Sequence, residues 1–210
     1  MAKRLKIPPT KSALLALKRQ VAFLTQGHDL LERKRELLTR LVYERLAQYR
    51  KLRREVRAAF EEAYHWLGVT HMRMGSRMLA QAALGLKPAM TISILPRSSI
   101  GVEYPAVSVE ALPLQAVGLL WTDPSFDESR ARLVDVAMLL ARLGVAETAL
   151  WRLLAEQRKT QKRVNALKYN IIPRYTETIR FIESALEEEE RNTLFQIKVL
   201  RENQASEGGG

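Results

Sequence analysis

Apolar residues recur along the first third of the chain at alternating steps of three and four, the heptad spacing of a coiled coil. The ladder runs from Leu14 to Trp66, and only His28, Arg35 and Arg45 interrupt it with strongly polar side chains. Its sixteen positions are Leu14, Leu17, Val21, Leu24, His28, Leu31, Arg35, Leu38, Val42, Arg45, Tyr49, Leu52, Val56, Ala59, Ala63 and Trp66. Two apolar positions in seven make a stripe too narrow for a helix on a globular core. The pattern therefore predicts a long coiled-coil helix within residues 1–67, roughly 80 Å in length at 1.5 Å per residue.

A second ladder predicts a partner helix over residues 125–201. Its positions are Leu133, Val136, Leu140, Leu143, Glu147, Leu150, Leu154, Gln157, Gln161 and Val164, and, after a slip of one position, Leu167, Ile171, Tyr175, Ile179, Ile182, Leu186, Leu194 and Ile197. Such a slip locally relaxes a left-handed supercoil. Pro173 lacks a backbone donor, so we expect a kink or short break just upstream of it. Residues 202–210 end in three glycines and predict a disordered tail.

The connecting segment, residues 68–124, has a different character. Thr70 to Leu84 predicts a short helix closed by Gly85 and Pro88. From Ala89 onward apolar and polar residues alternate, which indicates a small β-hairpin or irregular extended region. The predicted fold is therefore mostly α: a long antiparallel two-helix coiled-coil hairpin, with a short helix and a small β-hairpin or irregular segment at its turn end.

The distribution of charge supports an antiparallel pairing. The chain carries 34 Lys and Arg against 23 Asp and Glu, a net charge of +11. Residues 1–60 hold 16 basic and 5 acidic residues, so the whole excess belongs to the first helix and its leader. An antiparallel arrangement brings the acidic run Glu187–Glu190 near Lys11, Lys18 and Arg19. Exposed pairs contribute only about 0–1 kcal/mol each, so they favour a register more than they stabilise it.

The sequence offers little material for bond chemistry. It has no cysteine and no glycine-rich phosphate loop, and its three histidines lack the spacing of a metal site. The run Glu187–Glu190 is more typical of a solvated helix face than of a cation site. We therefore predict no catalytic, cofactor-binding or metal-binding residues. The longest apolar runs are also far too short to span a bilayer. The basic first helix leaves phosphate binding open, although aromatic residues for stacking bases are scarce.

Three segments of the chain resemble one family, the D subunit of V-type and archaeal-type ATPases and ATP synthases. The first is PPTKSALLALKRQVAFLTQGHDLLERKRELL, Pro8–Leu38, which has the family's PTK and its LLxxKRxxL. The second is KRVNALKYNIIPRYTETIRFIESALEEEERNTLFQIKVL, Lys162–Leu200, similar to the family's RRVNALExxxIP and its ER…F.LK continuation. The third is GVEYP, Gly101–Pro105. Lys168 departs from the pattern, because the family is expected to carry an acidic residue there.

The resemblance implies the central rotor shaft of a rotary ATPase or ATP synthase that moves protons or sodium ions. One copy per complex would transmit torque between the catalytic hexamer and the membrane ring, on the cytoplasmic side of the plasma membrane. It would be a non-catalytic component, with neither membrane insertion nor nucleic-acid binding. The alternative that stays open is a basic coiled-coil adaptor or nucleic-acid-binding rod.

The resemblance also implies where the partners bind. Contacts to the catalytic and regulatory subunits of the hexamer are expected near the two chain ends, at Lys3, Arg4, Lys6, Lys11, Arg191, Lys198 and Arg201. Contacts to the F subunit and to the funnel-shaped C subunit are expected in the connecting segment, at Met78, Ile92, Ile94 and Tyr104.

Overall fold

A computed structural model describes residues 5–115 and 122–207 of the chain, with side chains described as far as Arg201. The elements are α1 (Lys11–Leu84), β1 (Met90–Ser99), β2 (Val102–Ala111), α2 (Pro124–Ala166), a π-helical turn (Leu167–Ile171) and α3 (Ile172–Glu207). They form two compact units, which we call the terminal unit (Met1–Glu36 with Arg158–Gly210) and the central unit (Leu37–Gln157). The predicted mostly helical fold with a small two-stranded sheet is confirmed. The disordered tail predicted for residues 202–210 overlaps the end of α3, because that helix continues to Glu207.

The heptad ladder of α1 is the face that α1 buries. All sixteen predicted positions are buried or half-buried, and Leu17, Leu38, Val56 and Ala63 are the deepest. Large apolar residues outside the ladder, such as Phe23, remain exposed to solvent. The seam of α1 is therefore readable from spacing alone.

The seam of the partner helix departs from the prediction at several positions. The ladder residues Leu133, Leu140 and Glu147 are exposed. A further departure lies between Leu150 and Val164. The deepest residues there are Leu153 and Thr160, whereas the ladder selects Leu154 and Gln161, which are half-buried. Thr160 is nearly inaccessible although it is polar. From Leu150 the ladder steps by four to Leu154 and reaches Gln161 seven residues later, whereas the buried positions step by three to Leu153 and reach Thr160 seven residues later. The error is therefore one of register.

The predicted irregularity before Pro173 is a π-helical turn. Pro173 has no N–H to donate to the carbonyl of Tyr169, four residues earlier. The N–H of Ile172 bonds to the carbonyl of Leu167, five residues earlier, as in a π-helix. The helix is wider over this single turn and then continues as the α-helix α3.

Gly75 interrupts the helical conformation of α1. Its φ and ψ are 72° and 159°, a region that is essentially reserved for glycine. The sequence pattern ends the long helix near residue 67 and begins a short helix at Thr70. The structure instead continues the helix past Gly68 and places the break at Gly75.

The connecting segment forms a regular antiparallel β-hairpin within the central unit. Its strands pair from Met90 with Ala111 to Ser99 with Val102. Ile100 and Gly101 both have positive φ, as the two-residue turns favoured in hairpins require. Beside this turn, Val102 is buried in a cluster with Leu38 and Leu153. The tip of the hairpin therefore packs on the helix pair at Leu38, a long-range contact that the sequence did not predict.

Polar contacts also hold the hairpin to the helices of the central unit. Arg152 donates a hydrogen bond of 2.8 Å to the carbonyl of Glu103. The guanidinium of Arg45 lies 5.8 Å from the ring centroid of Tyr104, within the range of a cation–π contact. Arg45 is one of the polar interruptions in the ladder, and its partner explains why a cation is accommodated there.

Asp123 caps the first turn of α2. Its Oδ2 accepts hydrogen bonds from the backbone N–H of Ser125, at 3.0 Å, and from the Ser125 hydroxyl. Pro124 occupies the first helical position, where a missing N–H costs nothing. The Thr70 hydroxyl shares its proton between the carbonyls of Trp66, at 2.8 Å, and Ser125, at 2.9 Å. The start of α2 is thereby tied to α1 within the central unit.

The Asp123 cap is expected to weaken in acid. The hydrogen bond from the Ser125 hydroxyl holds the pKa of Asp123 below its ordinary value of 3.8, and the Ser125 N–H and Arg73 act in the same direction. A lowered folded-state pKa adds stability that is complete above the unfolded value and disappears as the pH falls through the folded value. The melting temperature of Asp123→Ala should therefore lie below that of the wild type at pH 7, and the gap should narrow below about pH 4. Thermal unfolding followed by circular dichroism between pH 2 and 7 measures it, and a gap that stays constant over that range would contradict the assignment.

Candidate partner interfaces

In the terminal unit, the beginning of α1 is paired with the C-terminal part of α3. Lys11 Nζ lies 2.7 Å from Glu190 Oε1, and Lys18 Nζ lies 2.7 Å from Glu183 Oε1. As residue numbers rise in α1 they fall in α3, so the pairing is antiparallel, as the charge distribution predicts. The hydrogen bond between Lys11 and Glu190 raises the pKa of Lys11 and lowers that of Glu190. Both groups are charged at neutral pH.

The leader before α1 folds back along α3. The N–H of Leu5 donates a hydrogen bond of 3.1 Å to Thr178 Oγ1, and the buried Thr178 hydroxyl in turn donates to the carbonyl of Arg174. Thr10 ends the leader as an N-cap, because its Oγ1 accepts a hydrogen bond from the N–H of Ala13. Lys6 lies on this leader with an exposed side chain. Lys3 and Arg4 lie outside the described residues.

Beyond Glu190, α3 carries large exposed apolar side chains. Leu194 and Phe195 are 68% and 67% exposed, and Ile197 and Leu200 are similar. The ladder assigns Leu194 and Ile197 to the coiled-coil seam, and that assignment is wrong. The physical reason is a difference in helix length, since α1 begins at Lys11, opposite Glu190, and its helix does not continue alongside the later residues of α3. Apolar residues that a partner helix would cover are therefore left at the surface.

The predicted hexamer contacts of α3 lie in this same segment. Arg191, Lys198 and Arg201 are all exposed there, among the apolar side chains of Leu194 and Phe195. We call residues 191–201 the terminal segment. The structure thus brings Lys11 next to the start of the terminal segment and leaves Lys6 on the leader. The sequence-based prediction names only basic residues in this segment, and it does not include Phe195 and Leu200 as interface candidates.

The hairpin presents an apolar face on the side opposite its docked residues. Side chains alternate along a strand, so Val102 and Tyr104 share one face of β2 and Val107 and Val109 share the other. Ile92 pairs with Val109 and Ile94 with Val107, which places these four side chains together. Ile94 is 66% exposed. We call this set of four residues the outer face of the hairpin.

The residues predicted to contact the F and C subunits are therefore separated by the structure. Ile92 and Ile94 belong to the outer face. Tyr104 lies on the opposite face, which it shares with Val102, and is half-buried beside Arg45 of its own chain. Met78 is half-buried in the part of α1 that follows Gly75. Val107 and Val109 belong to the predicted strand-like segment but were not among the predicted contact residues, although their alternation with polar residues was a signal for them.

The described part of the chain holds neither a metal cluster nor a membrane-spanning helix. Within residues 5–115 and 122–207, no group of three or more His, Cys, Asp or Glu side chains is arranged to hold a metal ion. In the same ranges, no helix combines the length and the apolar character needed to cross a membrane.

Antiparallel helix pairs with an inserted, docked β-hairpin define an α-helical hairpin protein. The family model for the D subunit of ATP synthase matches residues 13–202 of the chain. The V-type ATP synthase D subunit of Thermotoga neapolitana is 36% identical over 200 residues, which cover 95% of this chain and 98% of that protein. The A-type ATP synthase D subunit of Pyrococcus horikoshii is 37% identical over 205 residues, 96% of each chain. For the A-type ATP synthase D subunit of Methanosphaera stadtmanae the identity is 33% over 201 residues, 94% of each chain. The chain belongs to the family of ATP synthase D subunits.

Proposed function

We propose that this chain is the central rotor shaft of a rotary V/A-type ATPase or ATP synthase that translocates protons or sodium ions. It transmits torque between the catalytic hexamer and the membrane ring, as a non-catalytic component present once per complex. The observation that carries the proposal is the match to the D-subunit family over residues 13–202, on a chain whose long helices pair antiparallel in each unit. The complex would place it peripherally, on the cytoplasmic side of the plasma membrane.

The helix pairs suit the transmission of torque. A twisting load on two helices is resisted by side chains that interdigitate along a continuous seam, and α1 contributes sixteen such positions. Leu38 and Val56 are fully or almost fully buried in that seam. Close-packed interiors have low compressibility and transmit strain, so turning one end of such a pair turns the remainder.

The chemistry of ATP would then be left to the hexamer, and this chain would act by contact. As the shaft turns, each catalytic interface meets a different side of it. A contact changes the population of open and closed interfaces only if its free energy differs between them. Asymmetry of the surface is therefore required, and the basic excess of residues 1–60 supplies it.

We place the hexamer contact at the terminal segment and the leader. The segment combines exposed Leu194 and Phe195 with the exposed cation Arg191, a mixture typical of interface surfaces, which are enriched in aromatic residues and arginine. Lys11 lies beside the start of the segment, and Lys6 lies on the leader next to Leu5, which is hydrogen-bonded to Thr178. Lys3 and Arg4 belong to the same proposed contact. Lys198 and Arg201 complete the proposed set on α3.

We place the contacts with the F subunit and with the C subunit on the connecting segment. The outer face of the hairpin offers Ile92 and Ile94 to a partner, together with Val107 and Val109. Tyr104, on the opposite face of β2, contributes indirectly, because its cation–π contact with Arg45 holds β2 against α1. Met78, in the helical stretch after Gly75, is the proposed contact nearest to the end of α1.

Reconstitution tests the proposal. The chain is mixed with the catalytic hexamer and the F subunit of its own organism, and the product is weighed by native mass spectrometry. We expect one copy per hexamer, and we expect that copy to be lost when residues 1–12 and 190–210 are removed. Removal of residues 202–210 alone is the control, because it leaves the terminal segment intact. A folded full-length chain that fails to join the hexamer would overturn the proposal.

A further inference from the structure

The two sides of the helix pair in the central unit differ sharply in charge. On one side lies a groove of about 340 Å³ lined in part by Glu62, Arg132, Asp135 and Arg142. Its charges are balanced, since Arg132 forms ion pairs with Glu62 at 3.0 Å and with Glu128 at 2.8 Å. A second groove, of about 890 Å³, lies between the same two helices. We call the second one the arginine groove.

The arginine groove has a basic rim and an apolar floor. Its described lining consists of Arg50, Arg53, Arg54, Val56, Arg57, Phe60, Leu140 and Leu143, without an acidic side chain. Leu140 is 40% exposed although it stands on the predicted seam of α2. The hairpin does not cover the groove, because none of its described residues is in the lining.

Most of the positive charge on the rim has no neutralising partner among the described residues. Arg57 Nε lies 3.8 Å from Glu61 Oε1. Arg50, Arg53 and Arg54 have no carboxylate within ion-pair distance among the described residues. Arg50 is three and four residues from Arg53 and Arg54, the spacings at which like charges on a helix repel each other. The isolated chain therefore keeps an electrostatic cost at this site, which a negatively charged occupant would remove.

We propose that the arginine groove binds an acidic amphipathic helix of a partner protein. Guanidinium groups pair with carboxylates in a planar, two-pronged geometry, which suits flanking Glu or Asp residues. The floor formed by Phe60, Leu140 and Leu143 suits the apolar stripe of a helix laid along the groove. A nucleic acid would leave this apolar floor unused, and Phe60 is the only aromatic residue in the described lining for a base to stack on. The inference goes beyond the proposed function, because it holds whether or not the chain rotates.

The test uses the full-length chain and two synthetic peptides. Each is an amphipathic helix of about 18 residues, long enough to be helical when bound, with leucines on one face. Glutamates flank the leucines in the acidic peptide, and lysines replace them in the basic peptide. Binding is followed by fluorescence anisotropy. We expect the acidic peptide to bind at least about tenfold more tightly than the basic one, as charge complementarity across an apolar contact requires.

Charge reversal makes the test specific to the groove. The variant R50E/R53E/R54E should reverse the preference, so that the basic peptide binds more tightly. The matched control R158E/K159E/K162E changes the net charge equally at exposed positions of α2 and should keep the wild-type preference. L140Q should weaken the acidic peptide without reversing the preference. Circular dichroism verifies that each variant is folded.

Two results would overturn the inference. One is an equal response of the groove variant and the control variant, which would mean that only net charge is sensed. The other is displacement of the acidic peptide by a 20-nucleotide RNA that binds more tightly and loses affinity in R50E/R53E/R54E, which would make the groove a nucleic-acid site. Neither result bears on assembly with the hexamer, so failure here is distinguishable from failure of the proposed function.

Discussion

Replacing Leu38 by alanine is expected to lower the free energy of unfolding by about 2–5 kcal/mol, the range for a buried leucine whose cavity cannot close. Leu38 is completely buried and joins Val102 of the hairpin to Leu153 of α2. Its loss removes packing from both contacts at once. Because the hairpin tip packs on this cluster, amide hydrogen exchange should also accelerate in β1 and β2.

The neighbouring residue supplies the control for Leu38. Leu37 is 53% exposed on the same helix, so Leu37→Ala changes composition and helix propensity identically but opens no cavity. Its effect on unfolding by guanidinium chloride should stay within about 1 kcal/mol, as for other surface substitutions. Equal destabilisation by the two substitutions would show that the Leu38 cluster does not hold the hairpin.

Replacing Gly75 by alanine is expected to destabilise the central unit by about 1–3 kcal/mol, because its φ and ψ lie in a region that side chains avoid. No atom outside its own neighbourhood lies within 4 Å of the position of an added Cβ, so the cost comes from the backbone and not from a clash. Alanine also favours continuation of the helix through residue 75. That would redirect the chain away from the hairpin's docking position at Leu38.

Gly68→Ala separates the backbone effect from the general effect of adding a methyl group. Gly68 lies in the same helix with open space around it and without a positive φ. Alanine there should raise the stability by up to about 1 kcal/mol, the difference in helix propensity between the two residues. Gly75→Ala should thus lower the melting temperature and accelerate hydrogen exchange in the hairpin. Gly68→Ala should raise the melting temperature and should not accelerate that exchange. Equal stabilisation by both would mean that the chain does not require the break at Gly75.

The extent of agreement between sequence and structure differs from one element to another. The seam of α1 was predictable because burial along a coiled coil is periodic, and apolar residues mark the period directly. Leu153 and Thr160 were missed because the ladder steps by four from Leu150 and so selects their neighbours Leu154 and Gln161. Gly68 and Gly75 look alike in sequence, and only the backbone conformation distinguishes the glycine that the fold requires from the one that it tolerates.

The candidate interfaces also combine features that were predictable from the sequence with features that depend on the fold. The charges near the chain ends were visible in the sequence, and the contact between Lys11 and Glu190 followed from antiparallel pairing. The exposure of Leu194 and Phe195 was not visible, because it depends on where α1 begins relative to α3. The arginine groove likewise needed two helices in register before Arg50 and Leu140 could be placed on one surface.

The central claim, that this chain turns inside the hexamer, is tested most directly by watching it rotate. The chain has no cysteine, so Leu84→Cys, at a highly exposed position, gives one attachment site for an optical probe. The hexamer is immobilised, with this chain as its only other component, and ATP is added. We expect stepwise rotation of the probe in one direction, at a rate that follows the ATP concentration until saturation. ATP hydrolysis at the full rate with a stationary probe would contradict the account.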